Sequence, residues 1–400
     1  MTGPEKGWLE GVKVVEFAQV VAGPLAGGLL ADHGATVVHV EAPGEGDSAR
    51  TMGPDKDGVH LWWKVSGRNK RSVTVNLRDP RGQDLAQRLV QWADVVVTGL
   101  RAGTLRRWRI DWDSLHAVNP KLVMLQISGY GANTSLAGAP GLGKVGEARS
   151  GVVYLTGDED GRPLHTGFSH GDAVTGLMGS FAITAALHRR AVDPGFDGEW
   201  IDLTLFEPLF RLIEWQVIVH DQLGMVPRRM GNQLAVAPGA VVNSYQSSDG
   251  VWVTVTSATP RSVRNVEKLL GLPNGEQAQA ADRPGYARRL DEGLRRWVSE
   301  HTGEECLAEM ARTEVIASRV YSIADIVADP VYAEREDIIS VTDPDLGQVR
   351  MQAALPHAAR HPGYVWRTGP ALGQDNDLVF GDWLGIDEEE RKLLGRDGII

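Results

Sequence analysis

Val12-Lys-Val-Val-Glu-Phe17, Pro24-Leu-Ala-Gly-Gly-Leu-Leu-Ala-Asp32 and Thr36-Val-Val-His-Val40 follow one another near the start of the chain. The first and third are short valine-rich runs that read as buried strands, and the second reads as a helix. Strand, helix and strand in that order imply a parallel crossover. The rhythm then repeats: a strand at 72–77, a helix at 81–92, a strand at 95–98 and another at 122–128. Apolar strands alternating with helices are the pattern of a parallel sheet covered by helices. The expected fold class is α/β, a Rossmann-like parallel-sheet large domain with a smaller α+β domain.

Further along, Glu199-Trp-Ile-Asp-Leu-Thr-Leu-Phe206 alternates as a half-buried strand does and leads into an apolar helix predicted over 208–223. Glycines, prolines and paired arginines over 224–239 suggest a linker. A hairpin over 240–245 and 251–256, closed by Ser247-Ser-Asp-Gly250, opens the smaller domain. Helical periodicity follows at 263–270, 287–300 and 303–313, and Asp329-Pro330 marks a boundary. The expected division is 1–224 for the first part of the large domain, 225–329 for the small domain, and 330–400 for a closing segment.

Four hundred residues make two domains the starting expectation. The net charge of -11 argues against nucleic-acid and anionic-membrane partners, which need a basic surface. Cys306 is the single cysteine, so no intrachain disulfide can form, and the first residues lack the basic and apolar regions of a secretory signal. A cytoplasmic location is expected. The weakly polar run at 20–31 is broken by Gly23, Pro24, Gly27 and Gly28 and falls short of the ~20 residues that span a bilayer.

Gly141-Leu-Gly-Lys-Val-Gly146 matches the G-x-G-x-x-G dinucleotide fingerprint in letters, but Ala137-Gly-Ala-Pro140 precedes it where a strand is required. It reads as a glycine-rich active-site loop, and NAD is disfavoured. Asp158-Glu-Asp160, between Gly157 and Gly161, reads as a solvated turn. His357 and His361 have zinc-like spacing, but flanking Pro356 and Pro362 oppose the helix that would align them. No metal site is expected.

The chemistry points to the stretch from His165 to Arg190. Polar residues and glycines end at Asp172, and an alanine-rich run follows, as in a loop entering a helix. Asp172 is placed at the N-cap, where backbone N–H groups and the helix dipole should lower its pKa and keep it ionised.

Gly171-Asp172-Ala-Val-Thr-Gly176 and Ala185-Ala-Leu-His-Arg-Arg190 resemble the active-site segment of the class III CoA-transferases, the family that includes formyl-CoA transferase, carnitine CoA-transferase and alpha-methylacyl-CoA racemase. The resemblance extends in register over nearly the whole chain. Leu9 to Phe17, Ala22-Gly-Pro24, Leu30 to Glu41, Asn69-Lys-Arg-Ser-Val73, Asn119-Pro-Lys-Leu-Val123, Ile127-Ser-Gly-Tyr-Gly131 and Arg229-Met-Gly-Asn232 carry it. It implies an acyl-CoA transferase with Asp172 as nucleophile, attacking the thioester to form an aspartyl anhydride and then an aspartyl-CoA thioester. It also implies an interlocked homodimer, an acyl-CoA and a carboxylic acid as substrates, and no permanently bound cofactor. Glycine loops at 141–146 and Gly231 are candidate oxyanion donors.

The phosphates and adenine of CoA call for cations and a flat partner surface. Lys70, Arg71, Ser72 and Val73, with Gly99, Leu100 and Arg107, match family segments lining the nucleotide groove. Arg101 and Arg106 are further cations, and Lys144 is placed to attract an acceptor carboxylate. Many relatives have an arginine against adenine where this chain has Ala42, so adenine must be held differently. Racemases of the family use a histidine on the loop matching 141–146, and this chain has none there. His170 and His165 are the nearby histidines. Racemization is the second reading, and a binding paralogue without catalysis the third.

Overall fold

The computed structural model describes residues 7–273 and 282–400. The chain divides into two compact units, one built from residues up to Val152 with Thr166–Glu214 and Val331–Ile400, the other from Val153–His165 and Trp215–Pro330.

In chain order the first unit contains β1 (Lys13–Phe17), α1 (Ala22–Asp32), β2 (Thr36–Glu41), β3 (Lys70–Thr74), α2 (Pro80–Trp92) and β4 (Val95–Thr98). It continues with α3 (Ala102–Trp108), α4 (Trp112–Val118), β5 (Val123–Ser128), α5 (Gly143–Arg149), α6 (His170–Val192) and β6 (Glu199–Thr204). The strands form one six-stranded sheet in the order β3-β2-β1-β4-β5-β6, every neighbouring pair parallel. This is the doubly wound order, with the connection reversing between β1 and β4.

Successive side chains of a strand face opposite sides, and here both sides are core. Val15, Phe17, Val38, Val40, Val96 and Met124 point to one face, packed with Leu85, Leu89 and Val90 of α2. Val14, Val37, Val95, Val97, Val123 and Leu125 point to the other, under Ala26 and Leu30 of α1 and Ile183 of α6. Each such buried side chain contributes about 1.5–3 kcal/mol. Asp79 starts α2 by accepting the N–H of Arg81, with Pro80 at the first turn.

An ionic layer lies between the sheet and α1. Lys70 Nζ reaches Glu16 Oε1 at 2.8 Å and the Pro24 carbonyl at 2.6 Å. His39 Nδ1 lies 2.5 Å from Glu16 Oε1, and its Nε2 stands 3.3 Å from Asp47 Oδ2, an ionic contact without hydrogen-bond geometry. Room for Glu16 depends on Gly27, where a Cβ would come 2.0 Å from Glu16 Oε2. Burial pulls the imidazole of His39 toward neutrality, but Asp47 and Glu16 outweigh it and hold the pKa up at about 9. Because the folded-state pKa is raised, this stabilisation is present in full below about 6.5 and is lost as pH climbs through about 9. Thermal melts across that window should show Tm falling in the native protein and a flatter slope in His39→Gln.

The second unit has an antiparallel sheet of β7 (Val241–Gln246), β8 (Trp252–Ser257) and β9 (Ala317–Arg319), with β8 central. Helices Pro260–Leu269, Arg283–Ser299 and Gly303–Arg312 close its core around Tyr245, Val253, Val255, Leu290, Leu294 and Cys306. The single helix expected over 208–223 is instead two, Glu207–Leu212 and Gln216–Leu223, interrupted at Glu214, whose φ of 36° no α-helix accepts. No helix of the described residues is long and apolar enough to cross a membrane.

Candidate active site

Two features of the first unit carry chemistry, a groove at the sheet's switch point and the start of α6. The groove, about 290 Å³, lies outside the carboxyl ends of β1 to β4, where ligands bind in open parallel sheets. Phe17, Ala18 and Gln19 line it after β1, Glu41 and Ala42 after β2, Asn76 and Arg78 after β3, and Leu100 and Trp108 after β4. Val20 holds a φ of 70°, which β-branched residues avoid, and the Asp47 carboxylate receives its N–H at 3.1 Å.

The residues expected to bind CoA separate into two groups. Leu100 lines the groove, Gly99 lies beside it in sequence, and Arg107 projects from α3 with an exposed side chain. Among the described residues, Arg101, Arg106 and Arg107 form no ion pair, so their charge is available to an anion. The side chains of Lys70, Ser72 and Val73, expected at the nucleotide groove, are instead buried within the fold. Lys70 is committed to Glu16, Ser72 Oγ donates to Glu41 Oε1 at 2.6 Å, and Val73 is wholly buried in the core. Within the Asn69-to-Val73 segment the sheet strand begins at Lys70, and Lys70 serves the ionic layer. Arg71 pairs with Asp375 at 3.1 Å, its guanidinium over the rings of Trp366 and Trp383.

Residues 141–146 are not a continuous loop, because α5 begins at Gly143. Along this helix Gly143 and Glu147, four residues apart, face α6, while Gly146 lies against the backbone of Leu205. Lys144, expected to attract an acceptor carboxylate, has its ammonium bonded within the protein. Its Nζ donates to Glu147 at 3.0 Å and to the carbonyls of Thr166 at 3.0 Å and Phe168 at 2.7 Å, tying α5 to the entry of α6.

Asp172 departs from its expected geometry in two ways. It sits in the first turn of α6, while Ser169 holds the N-cap position and makes no side-chain cap bond. Its pKa is raised, not lowered, to about 6: desolvation contributes most, the nearby Glu147 carboxylate adds to it, and Lys144 opposes both. The helix dipole acts in the expected direction but is outweighed. Among the described residues no donor bonds the Asp172 carboxylate, which lies against the backbone of Gly143. A Cβ on Gly143 would fall 2.0 Å from Asp172 Oδ2. Gly143→Ala must therefore displace the carboxylate, and we expect kcat to drop by about 100-fold with little change in Tm.

His170 stands two residues before Asp172, and its Nδ1 is buried without a hydrogen-bond partner. Position 142, within the segment where racemases of the family carry histidine, is a leucine, 77% exposed. His165 and Gly231 belong to the second unit. Sequence reading missed the nearness of Glu147 to Asp172, a relation visible in spacing only once 143–149 is read as helix. It also missed Trp108, which directly follows Arg107.

The profile of CoA-transferase family III matches residues 9–376. The chain is 35% identical over 398 residues to succinyl-CoA–D-citramalate CoA-transferase of Chloroflexus aurantiacus, covering 98% of each. It is 32% identical to the beta subunit of succinyl-CoA–L-malate CoA-transferase of the same organism, again over 98% of each chain. A crystal structure of a CAIB/BAIF family protein from Brucella suis superposes with a TM-score of 0.81 at 30% identity, covering 94% of this chain and all of that one. A doubly wound sheet of the same architecture, a family profile spanning nearly the whole sequence and full-length transferase relatives agree, and the protein belongs to the family III CoA-transferases and is an acyl-CoA transferase.

Proposed function

We propose that this enzyme moves CoA from an acyl-CoA thioester to a carboxylic acid by covalent catalysis at Asp172. The observation that carries the reading is the state of that carboxylate: partly desolvated, bonded to no donor among the described residues, and held against bare backbone at Gly143. With a pKa near 6 it is ionised at neutral pH yet more basic than an ordinary aspartate, which favours attack on a thioester carbonyl.

The steps balance without a co-reactant. An Asp172 oxygen forms a bond to the thioester carbon, the C–S bond breaks, and CoA departs as a thiolate, leaving a mixed anhydride. The thiolate attacks the aspartyl carbonyl and the donor acid leaves as a carboxylate, giving an aspartyl-CoA thioester. The acceptor carboxylate opens this thioester to a second anhydride. The thiolate then takes the acceptor's acyl group and restores Asp172. Each tetrahedral stage builds an oxyanion, for which backbone N–H groups at the start of α5 are suited donors.

In this reading CoA lies along the switch-point groove, with Arg101, Arg106 and Arg107 toward its phosphates. Leu100 and Trp108 offer the adenine a flat apolar wall, and Ala42 leaves room instead of stacking. Relatives named for succinyl-CoA with citramalate or malate support a short dicarboxylic acid as donor and acceptor. Leu177 and Phe181, exposed on α6, with Phe210 and Leu212 of the adjoining short helix Glu207–Leu212, form apolar surface fit for burial in a homodimer.

The test is peptide mass spectrometry after mixing the enzyme with hydroxylamine and a small acyl-CoA panel, succinyl-CoA first. A hydroxamate on Asp172 supports the scheme and identifies the donor. No adduct, with exchange of α-protons into deuterated water, would move the assignment to racemization.

A further inference from the structure

Glu147 is a buried carboxylate beside the nucleophile for which the reaction scheme has no use. It is 1% exposed, receives the Gly171 N–H at 3.0 Å, and is paired with Lys144 Nζ at 3.0 Å. An amide at this position could accept the same N–H bond without the desolvation cost of a charge. Retaining a charge here, beside a second carboxylate and paired with Lys144, raises the repulsion that Asp172 feels.

We propose that Glu147 is a positioning residue with two separable actions: its hydrogen bond to Gly171 fixes the turn that seats Asp172 against Gly143, and its charge destabilises the resting Asp172 carboxylate in a way that acylation relieves. This rests on Asp172 being the nucleophile. When the Asp172 oxygen bonds to the thioester carbon and the electron pair of the C–S bond leaves with CoA, Asp172 loses its negative charge. Repulsion from Glu147 is thus present in the ground state and fades toward the acylation transition state, the differential that speeds a step. Lys144 pairs with the buried Glu147 at 3.0 Å, and its bonds to the Thr166 and Phe168 carbonyls hold the loop leading into α6.

Other charges around Asp172 do not duplicate this role. On α5, Arg149 lies over the rings of Tyr130 and Phe206. On its own helix the neighbouring titratable group is His170. The packed helix α1 carries only Asp32, at its far end, and Glu207 of the adjoining short helix is bonded to the Thr204 N–H.

The test is single-turnover acylation, read as Asp172 hydroxamate across acid to neutral pH, in the native enzyme, Glu147→Gln and Glu147→Asp. Glutamine keeps an acceptor for Gly171 and loses the charge. Its acid midpoint should move down by about one pH unit, a tenfold change in proton affinity, with roughly tenfold slower acylation on the plateau. Aspartate keeps the charge and shortens the reach, so its midpoint should stay near the native value while acylation slows. A folded Glu147→Gln with an unmoved midpoint overturns the proposal, since a purely structural residue changes Tm and rate but not titration. If Glu147→Gln does not fold, a Glu147→Asp midpoint displaced as far as one unit overturns it instead. No hydroxamate in the native enzyme with any donor sinks the nucleophile assignment and this proposal together, whereas native hydroxamate with an unshifted Glu147→Gln sinks this proposal alone.

Discussion

Asp172→Ala and Asp172→Asn are expected to abolish CoA exchange, lowering turnover by about four orders of magnitude or more, and neither should accumulate a hydroxamate. An amide oxygen cannot form the anhydride, so asparagine's close fit in size does not help it. The same substitutions should not weaken the fold. The carboxylate's pKa is raised from 3.8 to about 6, first by desolvation and then by Glu147, so its charge is a cost to the folded state. For an acid shifted upward the penalty is complete above about 6, shrinks as pH falls, and is gone below 3.8. Asp172→Asn should therefore be more stable than the native protein at mildly alkaline pH, by about 1–2 kcal/mol after allowance for solvent screening. That gain should vanish on acidification. Exchange assays and denaturant melts at two pH values measure both halves. An inactive Asp172→Asn that also unfolds would mean that Asp172 holds structure, and its assignment as nucleophile would lose its basis.

The sheet was readable because its strands are buried on both faces. A valine run such as 36–40 has no other stable use beside a short helix, and the right-handed crossover rule then leaves few topologies. The helix at 143–149 was not readable. Gly143 and Gly146 lower helix propensity, and no side-chain cap marks the start. What holds it is tertiary: Lys144 tied to the entry of α6, and glycine faces that let backbone approach backbone. Reading it as a loop left the role of Glu147 open, and with it a contribution that adds to desolvation in turning Asp172's titration opposite to the capping expectation. Local rules for a helix start are sound, but they count neighbours in sequence, and Glu147 is a neighbour only in space.

Resemblance by motif carries a similar hazard, which Lys70 illustrates. It sits in a segment, Asn69 to Val73, that resembles the family's nucleotide-groove loop, and a lysine there reads naturally as a phosphate ligand. Alternation along a strand decides otherwise: once 70–74 is β3, Lys70 faces α1 and the interior. Burial of a lysine requires a partner, and the sequence does supply Glu16 on the inward face of β1, one strand beyond the neighbouring β2, though only the strand order shows that the two meet.

Lys70→Met should then cost stability, not substrate affinity. The ammonium is 1% exposed and answers Glu16, whose own carboxyl burial would push upward were Lys70 not holding it below the ordinary glutamate range. Removing one partner of a buried pair leaves the other charge uncompensated, at about 3–5 kcal/mol. His39 still contacts Glu16, which places the expected loss toward the lower end. In Glu16→Gln/Lys70→Met the stranded charge is gone, and part of the loss should return, because exchanging a buried ion pair for neutral groups costs far less than halving it. Denaturant unfolding of the single and double variants measures this coupling, while KM for acyl-CoA of the folded enzyme should remain near the native value. A Lys70→Met protein of native stability with a many-fold higher KM would return this lysine to the CoA phosphates and contradict its place in the ionic layer between the sheet and α1.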